Sequence, residues 1–239
     1  MIRGGRGDDI IHSTLIGGNA DNGNVLWVEG NEGDDYVYGG DNQQISAHYW
    51  GGSGNDYMTS GNDNDGDVYL HGNGGDDEMY AGDNNAKDLR MKGNDGNDFM
   101  VGGDSNQREH FFGNKGDDTL IGGEYTGTVP YDLDSAQILD GGSGNDYIVG
   151  GDYGYEQYLI GGIGEDTILS NGERYGVTYI WGDLEYDDEL TDEDVWGSAD
   201  YIEALGDFAD ADADLYVWAG DGDDTILAGD GQEYAYVHG

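Results

Sequence analysis

One eight-residue phrase constrains this chain more than any other feature. Read as Gly, any, any, Gly, any, Asp, any, apolar, it occurs as GGRGDDII at Gly4, GNEGDDYV at Gly30, GGSGNDYM at Gly51, GNGGDDEM at Gly72, GNDGNDFM at Gly93, GNKGDDTL at Gly113, GGSGNDYI at Gly141 and GGIGEDTI at Gly161. Two worn copies follow: GSADYI around Asp200, and AGDGDDTI, where Ala219 takes the first Gly position. The shared aspartates are Asp9, Asp35, Asp56, Asp77, Asp98, Asp118, Asp146, Asp166, Asp200 and Asp224, spaced by 26, 21, 21, 21, 20, 28, 20, 34 and 24 residues, so the basic unit is 20 or 21. Self-similarity at such a period means stacked units, none of which can bury its apolar face alone.

A second glycine turn follows about half a unit later, at Gly39-Gly40-Asp41, Gly61-Asn62-Asp63, Gly82-Asp83, Gly102-Gly103-Asp104, Gly122-Gly123-Glu124, Gly150-Gly151-Asp152 and Gly229-Asp230. Each unit therefore holds two turns and two short strands. Insertions are tolerated in surface loops and costly inside a packed coil. The excess length, near 12–24, 124–137 and 183–196, is accordingly expected after the second turn or just before the next first turn.

Two columns assign the faces. Two residues before each first Gly stand Ile2, Val28, Tyr49, Leu70, Met91, Phe111, Leu139, Leu159, Ile180, Val217 and Val237; two residues after each shared Asp stand Ile11, Val37, Met58, Met79, Met100, Leu120, Ile148, Ile168, Ile202 and Ile226. Every residue in both is apolar, and alternation around them reads as strand with these side chains inward. Three residues before the first Gly the chain carries Trp27, His48, Tyr69, Arg90, His110, Ile138, Tyr158, Tyr179, Tyr216 and Tyr236, an outward ladder rich in rings. The expectation is a single all-β domain over 1–239: a right-handed parallel β-solenoid of about ten coils with a core one layer deep. No helix longer than a turn is expected, and 185–195 is the only stretch to inspect for one.

Composition bears on what could hold such a stack together. The 239 residues include 47 Gly, no Cys and a formal charge of 8 − 52 = −44. That charge resembles a disordered acidic segment, but 19 Tyr, 5 Trp and 4 Phe do not. A phosphate backbone would be repelled, which excludes nucleic acid as a partner. No apolar run approaches the ~20 residues of a membrane span, so no membrane partner is expected. Without cysteine there is no disulfide framework, thiolate metal site or cysteine nucleophile.

Stacked coils would set the shared carboxylates about 5 Å apart in a row, a self-repelling arrangement. Glycines at positions one and four let the backbone curl its carbonyls toward a centre, and Asp at position six adds a hard anionic oxygen. Hard oxygens in six- to eight-fold number select Ca2+, whereas transition metals want His or Cys. Ten ions in the first turns would contribute +20 against −44. A comparable row in the second turns, at Asp41, Asp63, Asp83, Asp104, Glu124, Asp152, Asp207 and Asp230, would bring the assembly near neutrality.

At these residues the chain resembles the repeats-in-toxin (RTX) family, whose nonapeptide is Gly-Gly-x-Gly-x-Asp-x-apolar-x; GGSGNDYIV at Gly141 matches every specified position. The resemblance implies a parallel β-roll in which the ten shared aspartates and the carbonyls of facing turns hold multiple Ca2+. Family coils pair two nonapeptides, whereas here only one turn per coil keeps the full motif, and the second turns depart from the family pattern.

Nothing argues for catalysis. The glycine loops lack a P-loop lysine, and the five histidines share no spacing with a serine or carboxylate pair. Asp210, Asp212 and Asp214 have the spacing of an EF-hand start without its Gly or helices, and read as loop acids. Arg3 and Arg6 near the start and Asp221, Asp223, Asp224, Asp230 and Glu233 near the end suggest charge pairing between molecules stacked head to tail. The expected function is an extracellular, calcium-stabilised structural filament, since millimolar calcium outside cells suits many weak sites. The alternative is a calcium-triggered folding, secretion or adhesin module of a larger secreted protein, with surface or glycan contact through the aromatic face as a weaker option.

Overall fold

The computed structural model describes residues 1–13, 25–85, 87–124, 136–151, 156–171, 176–183, 198–204, 214–229 and 234–238. Among them the only regular structure is strand, in two sheets. The first, of long strands, runs Ile2–Arg6, Val25–Glu32, Ser46–Ser53, Val68–Gly74, Asp88–Asp95, Arg108–Lys115, Ala136–Ser143, Glu156–Ile163, Val177–Asp183, Asp214–Trp218 and Tyr234–His238. The second, of short strands, runs Ile10–Ser13, Tyr36–Gly39, Tyr57–Thr59, Glu78–Tyr80, Phe99–Val101, Thr119–Ile121, Tyr147–Gly150, Thr167–Ser170, Tyr201–Ala204 and Thr225–Ala228. The chain alternates between them, and each strand pairs in parallel with the one two elements later, which is a parallel β-solenoid of about ten coils. The stretch 185–195 lies outside the described residues.

Both inward columns are realised in register. Val28 pairs with Tyr49, Tyr49 with Leu70 and Leu70 with Met91; on the other sheet Val37 pairs with Met58 and Met58 with Met79. From Val28 to Val217, and from Val37 to Ile202, these side chains are buried in one continuous core. Full burial of a residue of this size is worth roughly 1.5–3 kcal/mol. A third inward column, four residues before each first Gly, starts apolar with Leu26, Ala47, Val68 and Leu89. It turns polar at Glu109, Gln137, Gln157 and Thr178, and becomes apolar again at Leu215.

The outward rings stack along the axis. Trp27 lies 4.7 Å from His48, His48 4.3 Å from Tyr69, and Tyr179 5.1 and 5.2 Å from Tyr158 and Tyr216. Their planes are nearly parallel, so ring faces cover one another, a contact worth about 0.5–1.5 kcal/mol per pair. Arg90 continues the ladder with its guanidinium 5.7 Å from the Tyr69 ring centre. Arg3 and Arg6, expected to meet acids of a neighbouring molecule, pair with Glu29 and Glu32 of the next coil.

One insertion is not where the spacing suggested. Gly182 faces the Asp200 carboxylate as Gly161 faces Asp166, and Ser198 occupies the fourth position of that turn, beneath Gly222. Gly182 and Asp183 thus hold the first two positions of this turn and Ser198 the fourth, so in sequence the extra length falls between them; residues 184–197 themselves lie outside the described residues.

Candidate metal centres

The first turn is shaped by what its glycines leave room for. The fourth Gly takes a left-handed conformation, for example φ 133° at Gly96, where any side chain would also strike the Gly75 carbonyl of the preceding coil. The first Gly is required for a different reason. A side chain on Gly30 would collide with Asp35 Oδ2 and with the Gly51 carbonyl oxygen, and one on Gly113 with Asp118 Oδ2 and the Gly141 carbonyl oxygen. Each such cradle brings together a carboxylate oxygen of its own coil and a carbonyl oxygen of the next.

The two oxygens of each shared Asp lead different lives. Oδ1 accepts the N–H of the equivalent Asp one coil earlier, from Asp9 N–H onto Asp35 at 2.7 Å, through Asp77 N–H onto Asp98 at 2.9 Å, to Asp200 N–H onto Asp224 at 3.1 Å. Oδ2 of Asp9, Asp35, Asp56, Asp77, Asp98, Asp118, Asp146, Asp166 and Asp200 is buried and accepts nothing. Neighbouring carboxylates a strand spacing apart repel by about 3–4 kcal/mol per pair at an effective dielectric near 20. Burial pushes these carboxyls up, to about 7 at Asp56, about 8 at Asp77, Asp118 and Asp166, and about 6 at Asp98, Asp146 and Asp200; the neighbouring acids add to the rise, against the lowering by the backbone hydrogen bond. A hard cation fits this donor set: anionic oxygens without donors, beside carbonyls. Among the described residues no three His, Cys, Asp or Glu side chains gather as a metal-holding group, so the backbone must supply much of any coordination shell.

Position five carries a second, outer ladder that the motif reads as unspecified. Here the N–H of the later coil donates to the side chain of the earlier one: Asn55 N–H to Asp34, Asp76 N–H to Asn55, Asn97 N–H to Asp76, Asp117 N–H to Asn97 and Asn145 N–H to Asp117. From Asp34 to Asn145 this exposed column alternates acid and amide, whereas the buried column is Asp throughout.

The second turn uses the same two ladders with a different ending. Asp41, Asp83, Asp104 and Glu124 lie on its exposed outer ladder, as Asn62 N–H to Asp41 and Asp104 N–H to Asp83 exemplify. Asp63 holds an exposed left-handed position at φ 55°. Asp152, Asp207 and Asp230 lie outside the described residues, as do Asp210 and Asp212, while Asp214 begins a strand. The inner, buried position is taken by Gln43, Asn64, Asn85 and Asn106. Gln43 N–H donates to Asn64 Oδ1 and Asn85 N–H to Asn106 Oδ1, while the amide nitrogens donate inward, Asn85 to the Gly82 carbonyl at 2.7 Å and Asn106 to the Gly103 carbonyl at 2.8 Å. Among the described residues, Asp41, Asp63, Asp83, Asp104 and Glu124 thus do not stand where the first-turn aspartates stand; an amide does at Gln43, Asn64, Asn85 and Asn106, and it brings its own donor. The signal was present two residues after Asp41, Asn62, Asp83 and Asp104.

Beyond Asn106 the strand residues Gln137 and Gln157 take over. Gln137 accepts Gly151 N–H and donates to Glu109, and Gln157 donates to Gln137 and to the Gly151 carbonyl. Glu109, fully buried, receives Asn106 Nδ2 from one side and Gly123 N–H and Gln137 Nε2 from the other. Two runs of donors meet there, and only a carboxylate accepts from both. Burial pushes Glu109 up to about 7, although these donors pull it down.

Fold and site together define a calcium-type parallel β-solenoid. The sequence profile of the RTX calcium-binding nonapeptide repeat (4 copies) matches residues 27–43, 50–66, 63–85, 90–106, 107–124, 134–152 and 216–233, more than half of the chain. The protein belongs to this family, and its repeats bind multiple Ca2+. No curated protein and no solved structure matches it.

Proposed function

We propose that Asp9, Asp35, Asp56, Asp77, Asp98, Asp118, Asp146, Asp166, Asp200 and Asp224, with the carbonyls of their first turns, hold the Ca2+, and that the chain is a non-enzymatic structural element of the extracellular space. The observation that carries this is the unbroken file of buried Oδ2 atoms without donors. Bound there, the ion supplies positive charge and coordination to oxygens that no N–H reaches. Aspartate Oδ1 and the neighbouring N–H fix the carboxylate's orientation beforehand. Ten ions would leave −44 + 20 = −24, carried mostly by the exposed ladders and loops. Circular dichroism in 5 mM calcium, 5 mM magnesium and excess EDTA tests the reading: a β spectrum only in calcium is expected, and an unchanged spectrum and melting point in EDTA would overturn it.

The finer reading is assembly head to tail into a filament. It is supported by ladder polarity: from Asp9 N–H onto Asp35 to Asp200 N–H onto Asp224, each inner N–H donates to the Asp of the following coil, so the ladder has a directional sense that head-to-tail stacking would continue. Chelator-sensitive filaments in electron micrographs are the expected result, and monodisperse monomers at high calcium would discard it. Family membership favours a second reading, a calcium-responsive folding or secretion module of a larger secreted protein, which those monomers would support.

A further inference from the structure

The turn interrupted by 184–197 departs from the others in one residue. Its second position, elsewhere Gly or Asn with positive φ, is Asp183. Asp183 is 8% exposed, and Ser198, across the interruption, donates its hydroxyl to Asp183 Oδ1 at 2.7 Å. Asp183 Oδ2 is buried without a donor, and so is Asp200 Oδ2 in the same turn. The Ala219 carbonyl of the next coil stands at this cradle: a side chain on Gly182 would meet both Asp200 Oδ2 and Ala219 O. In the next coil, at the matching second position, the Asp183 carboxylate fills the space a side chain on Gly220 would need. Where the other turns described present one such oxygen per coil, this one presents two.

We propose that this turn is a distinct Ca2+ site with Asp183 and Asp200 as joint carboxylate ligands beside the Ala219 carbonyl, and that it fills at lower free calcium than its neighbours. The proposal rests on calcium occupying the first turns. A second anionic oxygen raises affinity for a hard cation, because calcium affinity is set largely by the charge count of the ligands. It also explains how a turn that has exchanged its fourth Gly for Ser198 and admitted a long insertion still keeps its place in the file. The Ser198 hydroxyl acts as a positioning group: by occupying Oδ1 it leaves Oδ2 as the free ligand.

Calcium titrations of the full chain against a fluorescent chelator test this, with Asp183→Asn beside Asp98→Asn as an ordinary turn. The parent should show one tight equivalent ahead of a weaker class. Asp183→Asn should weaken that first equivalent at least tenfold, and Asp98→Asn should remove an ion from the weaker class only. If Asp183→Asn leaves the first step in place while Asp98→Asn loses an ion, this site is wrong and the general reading survives. If Asp98→Asn also changes nothing, the general reading fails first. Should Asp183→Asn not fold, Ser198→Ala keeps both carboxylates and must weaken the same step several-fold; an unchanged step overturns the proposal.

Discussion

The first-turn and second-turn edges of this solenoid are built on the same plan and closed in opposite ways. Both have an outer ladder in which later N–H groups donate to earlier side chains, and an inner ladder of reverse polarity. In the first turns the inner side chain is Asp, whose second oxygen has no donor; in the second it is Asn or Gln, whose second atom is a donor and finds a carbonyl. An amide nitrogen does for one edge what a cation must do for the other. If the first-turn aspartates hold the ions as proposed, calcium dependence is set not by the abundance of acid along the chain but by one atom per coil at the inner position.

The largest effect should come from depleting calcium in steps while following amide hydrogen exchange. Asp56 and Asp77 N–H, on the first-turn ladder, should lose protection at a calcium concentration where Asn64 and Asn85 N–H still hold; simultaneous loss would erase the distinction between the edges. The pH dependence in chelator comes next. Asp77, Asp118 and Asp166 titrate near 8 in the folded, metal-free chain against 3.8 ordinarily. A raised folded value means the carboxyls stabilise the fold fully below about pH 4 and cease to do so as pH rises through 8. Metal-free protein should thus gain β structure on acidification from pH 8 to 5, while calcium affinity falls over the same range.

A reciprocal swap sharpens the contrast at single sites. Asn85→Asp puts a donorless carboxylate into the second edge and should destabilise the chain by about 3 kcal/mol or more in urea melts at calcium just sufficient to fold the parent. Asp77→Asn should lower the ion count and make folding less calcium-dependent. Smallest is Glu109→Gln: whichever way the amide turns, its NH2 meets another donor, for about 1–3 kcal/mol in calcium.

Much of this was legible in the residues. The apolar columns beginning at Ile2 and Ile11 gave period, face and register at once, because a parallel stack allows only one residue to sit above another. The buried Asp column was equally plain. The outer ladder was missed because Asp34, Asn55 and Asp76 look like ordinary turn residues until their bonds to the next coil are seen. The second-turn acids misled for the converse reason: an acid beside a glycine turn is visible in sequence, but which neighbour points inward depends on the left-handed residue between Asp41 and Gln43, Asn42 at φ 58°. Glu109, Gln137 and Gln157 interrupt an apolar column at a fixed offset, a signal that went unused.

The alternation along the exposed column from Asp34 to Asn145 has a bearing on solution conditions. Like charges two rungs apart are separated by roughly 9.6 Å, comparable to the ~8 Å Debye length of physiological saline. Dissolved monovalent salt thus quiets the exterior without any specific binding, while the interior file lies beyond its reach. Sodium chloride and calcium chloride should consequently act on different halves of the same turn, the first tuning how densely the surfaces can crowd together and the second deciding whether there is a surface at all.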